Sequence, residues 1–263
     1  MAKIAIDAGH GGRDPGAVYQ GRQEKDDTLR LALAVGEILK QNGVDVTYTR
    51  TGDVYDSPLR KAQIANEANV DYLVSIHRNA MPVPQSASGI ETLVYQQGNR
   101  ASGLARDINE QLQAVGFQNR GVIPRPNLAV LRRSRMPAVL VEVGFIDNDK
   151  DNQLFDEEFD SIAQAIADGI LKYLNSQNSG QNSNPNQDSS QEQMLYRVQV
   201  GAFKNPQFAY QLMRQLQQEG YPVFTLYDNG YYRVQVGAFQ YMDNAVRMEQ
   251  RLRRVGYQTY LTT

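Results

Sequence analysis

Cysteine is absent from the 263 residues, and histidine occurs only twice. The first absence excludes disulfides, thiolate nucleophiles and cysteine-type zinc sites together, and it leaves the redox compartment open. Any metal must be held by imidazole and carboxylate groups. Also missing is any stretch approaching the roughly 18 to 20 continuous apolar residues of a membrane helix, so membrane insertion is not expected. The start, MAKIAIDAGHGG, lacks a basic segment followed by a long apolar run and a small-residue cleavage site, so no ordinary secretion signal is expected. What is present, 41% hydrophobic and 21% charged residues, suffices for real cores, and the length favours one large domain plus one small one.

Between Ser176 and Gln193 the chain reads SQNSGQNSNPNQDSSQEQ, without an aliphatic or aromatic residue. Such a stretch has nothing to bury and reads as a disordered linker between a domain at 1–175 and another at 194–263. Charge divides along the same line: eight basic and four acidic residues make the tail +4 and leave −6 on the rest of a chain whose net charge is −2. The tail alone suits a weakly anionic polymer.

In the first domain short β-rich runs alternate with helical patterns. KIAID precedes Leu29, Ala32, Leu33, Gly36 and Leu39 at helical spacing; VDVTYTR precedes a helix capped by Ser57 with Pro58 at its first position. DYLVSIH, GIETLVYQ, a helix over about Arg100 to Val115, AVLVEVGF and a last helix with Leu154, Phe159, Ile162, Ile166, Ile170 and Leu174 follow. This alternation predicts an α/β fold, a mixed twisted sheet covered by helices on both faces.

Both histidines, His10 and His77, sit at the carboxyl ends of predicted strands, where ligand crevices of open α/β sheets form. Each could be a satisfied polar residue at a strand end. As a pair, with one carboxylate, they make a catalytic zinc set with a fourth position for water. Two acids are candidates for the remaining roles. Glu24, in GRQEKDD, is equally an ordinary acid at a helix start, favoured by the macrodipole. Glu142, in AVLVEVGF, is a charge inside an apolar strand, which is costly unless paired or metal-bound.

The segments IAIDAGHGG, EKDDTLRLA, VSIHRNA and MPAVLVEVGFIDNDKD, in that order, resemble the signature segments of zinc-dependent N-acetylmuramoyl-L-alanine amidases of the amidase-3 family, over essentially all of residues 1–175. The resemblance implies one zinc ion held by His10, Glu24 and His77, with Glu142 as catalytic acid/base. It implies cleavage of the amide between N-acetylmuramic acid and L-alanine in bacterial peptidoglycan, the zinc polarising the carbonyl and lowering the pKa of water. Thr28 stands where relatives often have Asn, and Arg78 where a small residue is common; Arg78 reads as an exposed basic loop residue or as one that alters which stem peptide fits. Gly11 and Gly12 are expected to turn the backbone away from His10 and leave room for a glycan or peptide. Without a signal, the family implies cytoplasmic synthesis and action on the wall after release through a holin pore, as in phage endolysins, or on mother-cell lysis after sporulation.

After the linker YRVQVGAF occurs twice, at Tyr196 to Phe203 and Tyr232 to Phe239, an offset of 36 that also pairs Ala209 with Ala245 and Leu216 with Leu252. Two such units predict βαββαβ, a small α+β domain of ferredoxin-like or RNP-like form with a four-stranded antiparallel sheet. Strict alternation sends Arg197, Gln199, Gly201 and Phe203, with Arg233, Gln235, Gly237 and Phe239, to the face away from the helices. The repeat is similar to SPOR domains, which bind peptidoglycan glycan strands; the resemblance implies glycan contacts at Gln199, Tyr231 and Arg233, and strand alternation adds Phe203 and Gln235. Many SPOR domains carry Ser where Ala202 stands. An RNA-binding platform is the rival for this unit, although the ribonucleoprotein signature is missing and no nucleic-acid partner is expected. A zinc amidase acting on another amide is the rival for the first, and an adhesive wall protein with an inactive catalytic domain is the third reading. Oligomeric state is not legible.

Overall fold

A computed structural model describes residues 2–180, 196–219, 221, 223–228, 230–239 and 242–262. The chain forms two compact units, residues 1–112 with 117–178 and residues 113–116 with 179–263. In the first, the elements run β1 (Lys3–Ala8), β2 (Val18–Tyr19), β3 (Arg22–Gln23), α1 (Glu24–Gln41), β4 (Asp45–Tyr48), α2 (Pro58–Glu67), β5 (Tyr72–Asn79) and β6 (Ile90–Val94). They continue with α3 (Arg100–Val115), β7 (Asn119–Pro124), α4 (Ala129–Arg133), β8 (Ala138–Phe145), α5 (Asp149–Glu157) and α6 (Phe159–Gly180). The main sheet has the order β4-β1-β5-β8-β6-β7; β4, β1, β5 and β8 are parallel, and β6 runs against β8.

Leu73 of β5 shares a core with Ala65 of α2 and Val130 of α4, while Arg78, on the other parity of the same strand, meets Asp27 of α1 and Asn152 of α5. Helices therefore cover both faces, as the apolar strands require. The helix starts follow capping chemistry: Ser57 accepts from the Arg60 N–H with Pro58 behind it, and Asn148 accepts from the N–H groups of Lys150 and Asp151. The buried stripe of α1 runs Leu31, Ala32, Val35, Gly36 and Leu39, and Leu29 and Leu33 lie at its margin. The last predicted helix is two, interrupted at Glu158, with Leu154 on the shorter one.

Helices α3 and α6 approach so closely that a Cβ built on Gly169 would lie 2.6 Å from Ile108 Cα and 2.8 Å from Ile108 N. Backbone cannot step aside as a side-chain tip can. Gly169→Ala is expected to cost about 1–3 kcal/mol, read as a lower thermal midpoint; an unchanged midpoint would show that the pair separates freely.

Residues 176–180 of the expected linker are helical, because α6 continues past Leu174 through a polar stretch that contains no helix-breaking proline. The rest of that stretch, 181–193, lies outside the described residues. None of the described helices is long and apolar enough to cross a membrane.

The second unit runs β9 (Tyr196–Phe203), α7 (Pro206–Gln218), β10 (Val223–Asp228), β11 (Tyr231–Phe239), α8 (Met242–Arg254) and β12 (Tyr260–Thr262), with the antiparallel order β10-β11-β9-β12. The repeat-related pairs Ala209 and Ala245, and Leu216 and Leu252, all lie in its core beside Val198, Val234 and Val236. Strict alternation fails at two β-bulges. Val234 pairs Gly201 and Gln235 pairs Gln199, which leaves Val200 unmatched; Val236 pairs Val198 and Ala238 pairs Arg197, which leaves Gly237 unmatched. One extra residue reverses the parity beyond it. Phe203 and Phe239 consequently pack with the helices rather than on the outer face, and exposed Ala202, in register with Arg233, takes the outward place. The outer face gathers Arg197, Gln199, Arg233 and Gln235 with Leu226 and Asp228 of β10. Arg233 donates to Gln199 Oε1 at 3.1 Å and pairs with Asp228 at 3.1 Å, and Tyr231, 38% exposed, lies in register with Asp228.

Candidate active site

The carboxyl ends of the adjacent parallel strands β1, β5 and β8 open on one edge of the sheet. His77 lies on β5 and Glu142 on β8, in register with each other. His10 follows β1 in a left-handed backbone conformation, φ 58°, that turns its ring toward β5. Glu24 opens α1, and both its oxygens are held by backbone: Oε2 accepts from Ala17 N at 2.9 Å and Oε1 from Arg78 N at 3.0 Å. The same oxygens lie 3.1 Å from His10 Nε2 and 2.9 Å from His77 Nδ1. One donor atom from each of the three residues falls within 4.8 Å of the others.

Four features fit this set to a divalent ion such as zinc. Two imidazoles and a carboxylate are a zinc donor set. Asp14 Oδ2, 2.9 Å from His10 Nδ1, orients that ring with its other nitrogen facing inward. A Cβ at Gly16 would strike Glu24 Oε2 at 2.5 Å and His10 Cδ2 at 2.6 Å, so only glycine lets them converge. Finally, the electrostatics favour positive charge. Burial opposes the His10 cation, yet the Glu24 and Asp14 carboxylates raise its pKa to about 9. Burial also opposes the His77 cation, which Glu24 and then Glu142 raise, and the Glu24 carboxylate, which the two imidazoles hold well below the usual range.

Glu142 differs. Burial comes first and lifts its pKa to about 7, against the lowering pull of His77 and with the help of Glu24 and Glu91. Its Oε2 is buried without a hydrogen-bond partner among the described residues. A half-buried carboxyl beside the metal set, with one oxygen uncommitted among the described residues, is placed to exchange a proton with a substrate or water.

Behind the set lies a supporting layer of which the sequence singles out only Thr28. Arg50, 4% exposed, donates to the carbonyls of Ala8, Gly9, Gly52 and Lys25, at 2.8 to 3.0 Å. Thr28 Oγ1 donates to Gly9 O at 2.7 Å. Lys61 Nζ donates to Ala8 O and, at 3.1 Å, to His10 O, and it pairs with buried Asp7 at 3.1 Å. These groups tie down the carbonyls that carry His10. The charge in KIAIDA was the available signal, by the argument that singles out Glu142.

Two expectations are corrected. Arg78 is neither exposed nor in a loop: it is 2% exposed in β5, paired with Asp27 at 2.6 Å, donating to Asn152 at 2.7 Å and stacked 4.1 Å from the centre of the Phe155 ring. Its parity on β5 points it away from His77 and into the α1–α5 side. Gly11 and Gly12 do turn the chain, but the space that their side chains would fill is taken by Val54 O, 2.1 Å from a Gly11 Cβ, and Tyr55 N, 2.8 Å from a Gly12 Cβ. They accommodate a neighbouring loop, not a ligand.

The profile of the family described as N-acetylmuramoyl-L-alanine amidase, Amidase_3, matches residues 4–172, and that of the SPOR domain matches residues 193–263. The chain is 34% identical over 231 residues to N-acetylmuramoyl-L-alanine amidase CwlM of Bacillus licheniformis, covering 86% of this chain and 85% of the relative. It is 41% identical over 155 residues to the sporulation-specific N-acetylmuramoyl-L-alanine amidase of Bacillus subtilis, 57% of this chain and 59% of that one. The crystal structure of an N-acetylmuramoyl-L-alanine amidase from Clostridium difficile 630 superposes with a TM-score of 0.63 at 36% identity, over 66% of this chain and 97% of the other. With the family profile spanning well over half of its length, the chain belongs to the Amidase_3 family of N-acetylmuramoyl-L-alanine amidases and carries a SPOR domain behind the amidase domain.

Proposed function

We propose that the protein is a zinc-dependent peptidoglycan hydrolase that cuts the amide between the lactyl group of N-acetylmuramic acid and L-alanine, directed to glycan strands by its second unit. The observation that carries this reading is the convergence of His10, Glu24 and His77 with Glu142 one strand away. One zinc ion held by the three residues would supply Lewis-acid polarisation of the scissile carbonyl and easier ionisation of water. Glu142 accepts a proton from the attacking water and delivers it to the departing alanine nitrogen, a task suited to a carboxyl whose pKa lies near neutrality. Asp14 holds the His10 ring, and the backbone N–H groups of Ala17 and Arg78 hold Glu24, so the donor atoms need little rearrangement.

On the second unit, Gln199 and Arg233 offer an amide and a guanidinium to sugar hydroxyls, with Tyr231 at the margin, whereas Gln235 lies on the same face but is only 4% exposed and supports it from beneath. Phe203 drops out of the proposed glycan set because it faces the helices. The same inward turn of Phe203 and Phe239 removes the rings that an RNA-stacking platform would need on its central strands.

The test uses the full chain: elemental analysis for zinc, and hydrolysis of purified sacculi followed by detection of new amino-terminal alanine. One zinc per chain, loss of hydrolysis on chelation with recovery on zinc addition, and retention on peptide-stripped glycan are expected. Metal-independent hydrolysis, new amino termini other than alanine, or activity confined to soluble peptides would each overturn the reading.

A further inference from the structure

The register of the main sheet places a row of ionisable side chains on one face, running away from the metal set. His77 on β5 is paired with Glu142 on β8, and Glu142 with Glu91 on β6. Residues in register share a face, so the three side chains stand side by side. Edge strand β7 contributes the next member: Arg120 Nε lies 3.2 Å from Glu91 Oε2. Asn79, two residues beyond His77 on the same face, donates from Nδ2 to Glu91 Oε1 at 3.0 Å. Glu91 is buried, at 8% exposed, and both its oxygens are engaged.

Arg120 is different in kind from the cations that support the site. Its Nε is committed to Glu91, and its guanidinium lies 5.2 Å from the centre of the Phe145 ring. The side chain nevertheless remains 36% exposed, and its two terminal nitrogens make no hydrogen bond or ion pair with any described residue. A guanidinium fixed at Nε and by its plane presents its remaining pair of N–H groups as a preset fork, the geometry that takes a carboxylate bidentately.

Distance decides which carboxylate. Neighbouring strands lie about 4.8 Å apart and an extended peptide rises about 3.3 Å per residue. Because Arg120 reaches back onto Glu91, its fork lies between one and two strand spacings from Glu142, roughly 5–10 Å. A peptide leaving the scissile nitrogen along this row brings its second residue to the fork.

We infer that Arg120, held by Glu91, which Asn79 in turn anchors, binds a free carboxylate on the second residue of the stem peptide, and so makes the enzyme selective for stem peptides whose second residue is an unamidated acid. The inference rests on the amidase reading of the site. It concerns specificity: Arg120 touches the peptide, whereas Glu91 and Asn79 act through it as positioning residues.

The experiment compares two synthetic substrates, N-acetylmuramoyl-L-alanyl-D-glutamate and its α-amide, on the intact protein and on Arg120→Gln and Arg120→Lys. The unsubstituted protein is expected to favour the free acid by roughly tenfold or more in kcat/KM, carried mainly by KM. Arg120→Gln abolishes the preference while changing cleavage of the amide little, and Arg120→Lys, which keeps the charge without the fork, restores only part of it. A protein without preference, or an Arg120→Gln loss equal on both substrates, overturns the inference; the latter marks Arg120 as a structural partner of Glu91 alone. Calorimetric binding of the free dipeptide and its amide provides an arm that needs no turnover. If the intact protein cleaves neither substrate, the amidase reading fails while the binding preference still decides the carboxylate site.

Discussion

Glu142→Gln is expected to lower hydrolysis of purified cell wall by about 10²–10⁴-fold, the range in which a positioned acid/base contributes, with zinc content unchanged. His77→Ala is expected to lose both, because His77 is one of only three donors in the set. The contrast separates two roles that adjoin across one strand pair. Glutamine preserves the shape of Glu142 but cannot accept the proton from water or return it to the leaving nitrogen. Stability provides an independent check. Burial raises the pKa of Glu142, and one of its oxygens is buried without a partner among the described residues, so its ionised form weakens the fold. Glu142→Gln should therefore unfold at the same temperature as the original protein or higher, a trade of stability for activity. Full activity of either variant on cell wall would refute the assignment. A Glu142→Gln protein with a lowered melting temperature and proportionately lowered activity would instead make Glu142 structural.

How much of this was legible in the sequence depended on how far each signal had to reach. A lone charge in an apolar strand marks Glu142 within eight letters, and the strand ends before His10 and His77 need no longer window. The second core was legible because a 36-residue repeat places like beside like, as Ala209 with Ala245. Its outward face was not. The letters YRVQVGAF do not announce that Val200 is the extra residue in one copy and Gly237 in the other, and a single bulge sends each phenylalanine to the opposite side. Arg78 failed for another reason. Its partners Asp27 and Asn152 are 51 and 74 positions away, so only tertiary packing turns an apparent loop cation into a buried one. The linker was read from composition, and a polar helix end such as that of α6 differs little in composition from coil.

Lys61→Met is expected to be the most damaging single change outside the chemical groups, destabilising the first unit by about 3–5 kcal/mol, or roughly 10 °C in its thermal midpoint. Lys61 and Asp7 are 3% and 1% exposed. Methionine fills the space of the alkyl stem but leaves Asp7 buried without its counter-charge. Ser75 and Thr49, each donating to Asp7 at 2.5 Å, remain and do not replace it. The loss also frees His10 O from Lys61 and leaves Ala8 O to Arg50 alone, and these are the carbonyls at the root of the His10 turn, so zinc affinity should fall together with stability. The pH dependence gives the sharper test. In the intact protein burial opposes ionisation of Asp7, but Lys61 and the two hydroxyls override it and depress the pKa, so its stabilising share is present above the unfolded carboxylate value and disappears as pH falls through the folded one. Without Lys61 burial dominates and the sign reverses: the folded pKa is raised, and ionising Asp7 destabilises the variant as pH rises from about 4 toward neutrality. The stability gap between the two proteins should therefore be small near pH 4 and widen toward pH 7, and Asp7→Asn added to Lys61→Met should recover part of it at pH 7 and little at pH 4. A gap that stays constant with pH, measured by denaturant unfolding, would mean that Lys61 acts through its carbonyl contacts and not through the charge of Asp7.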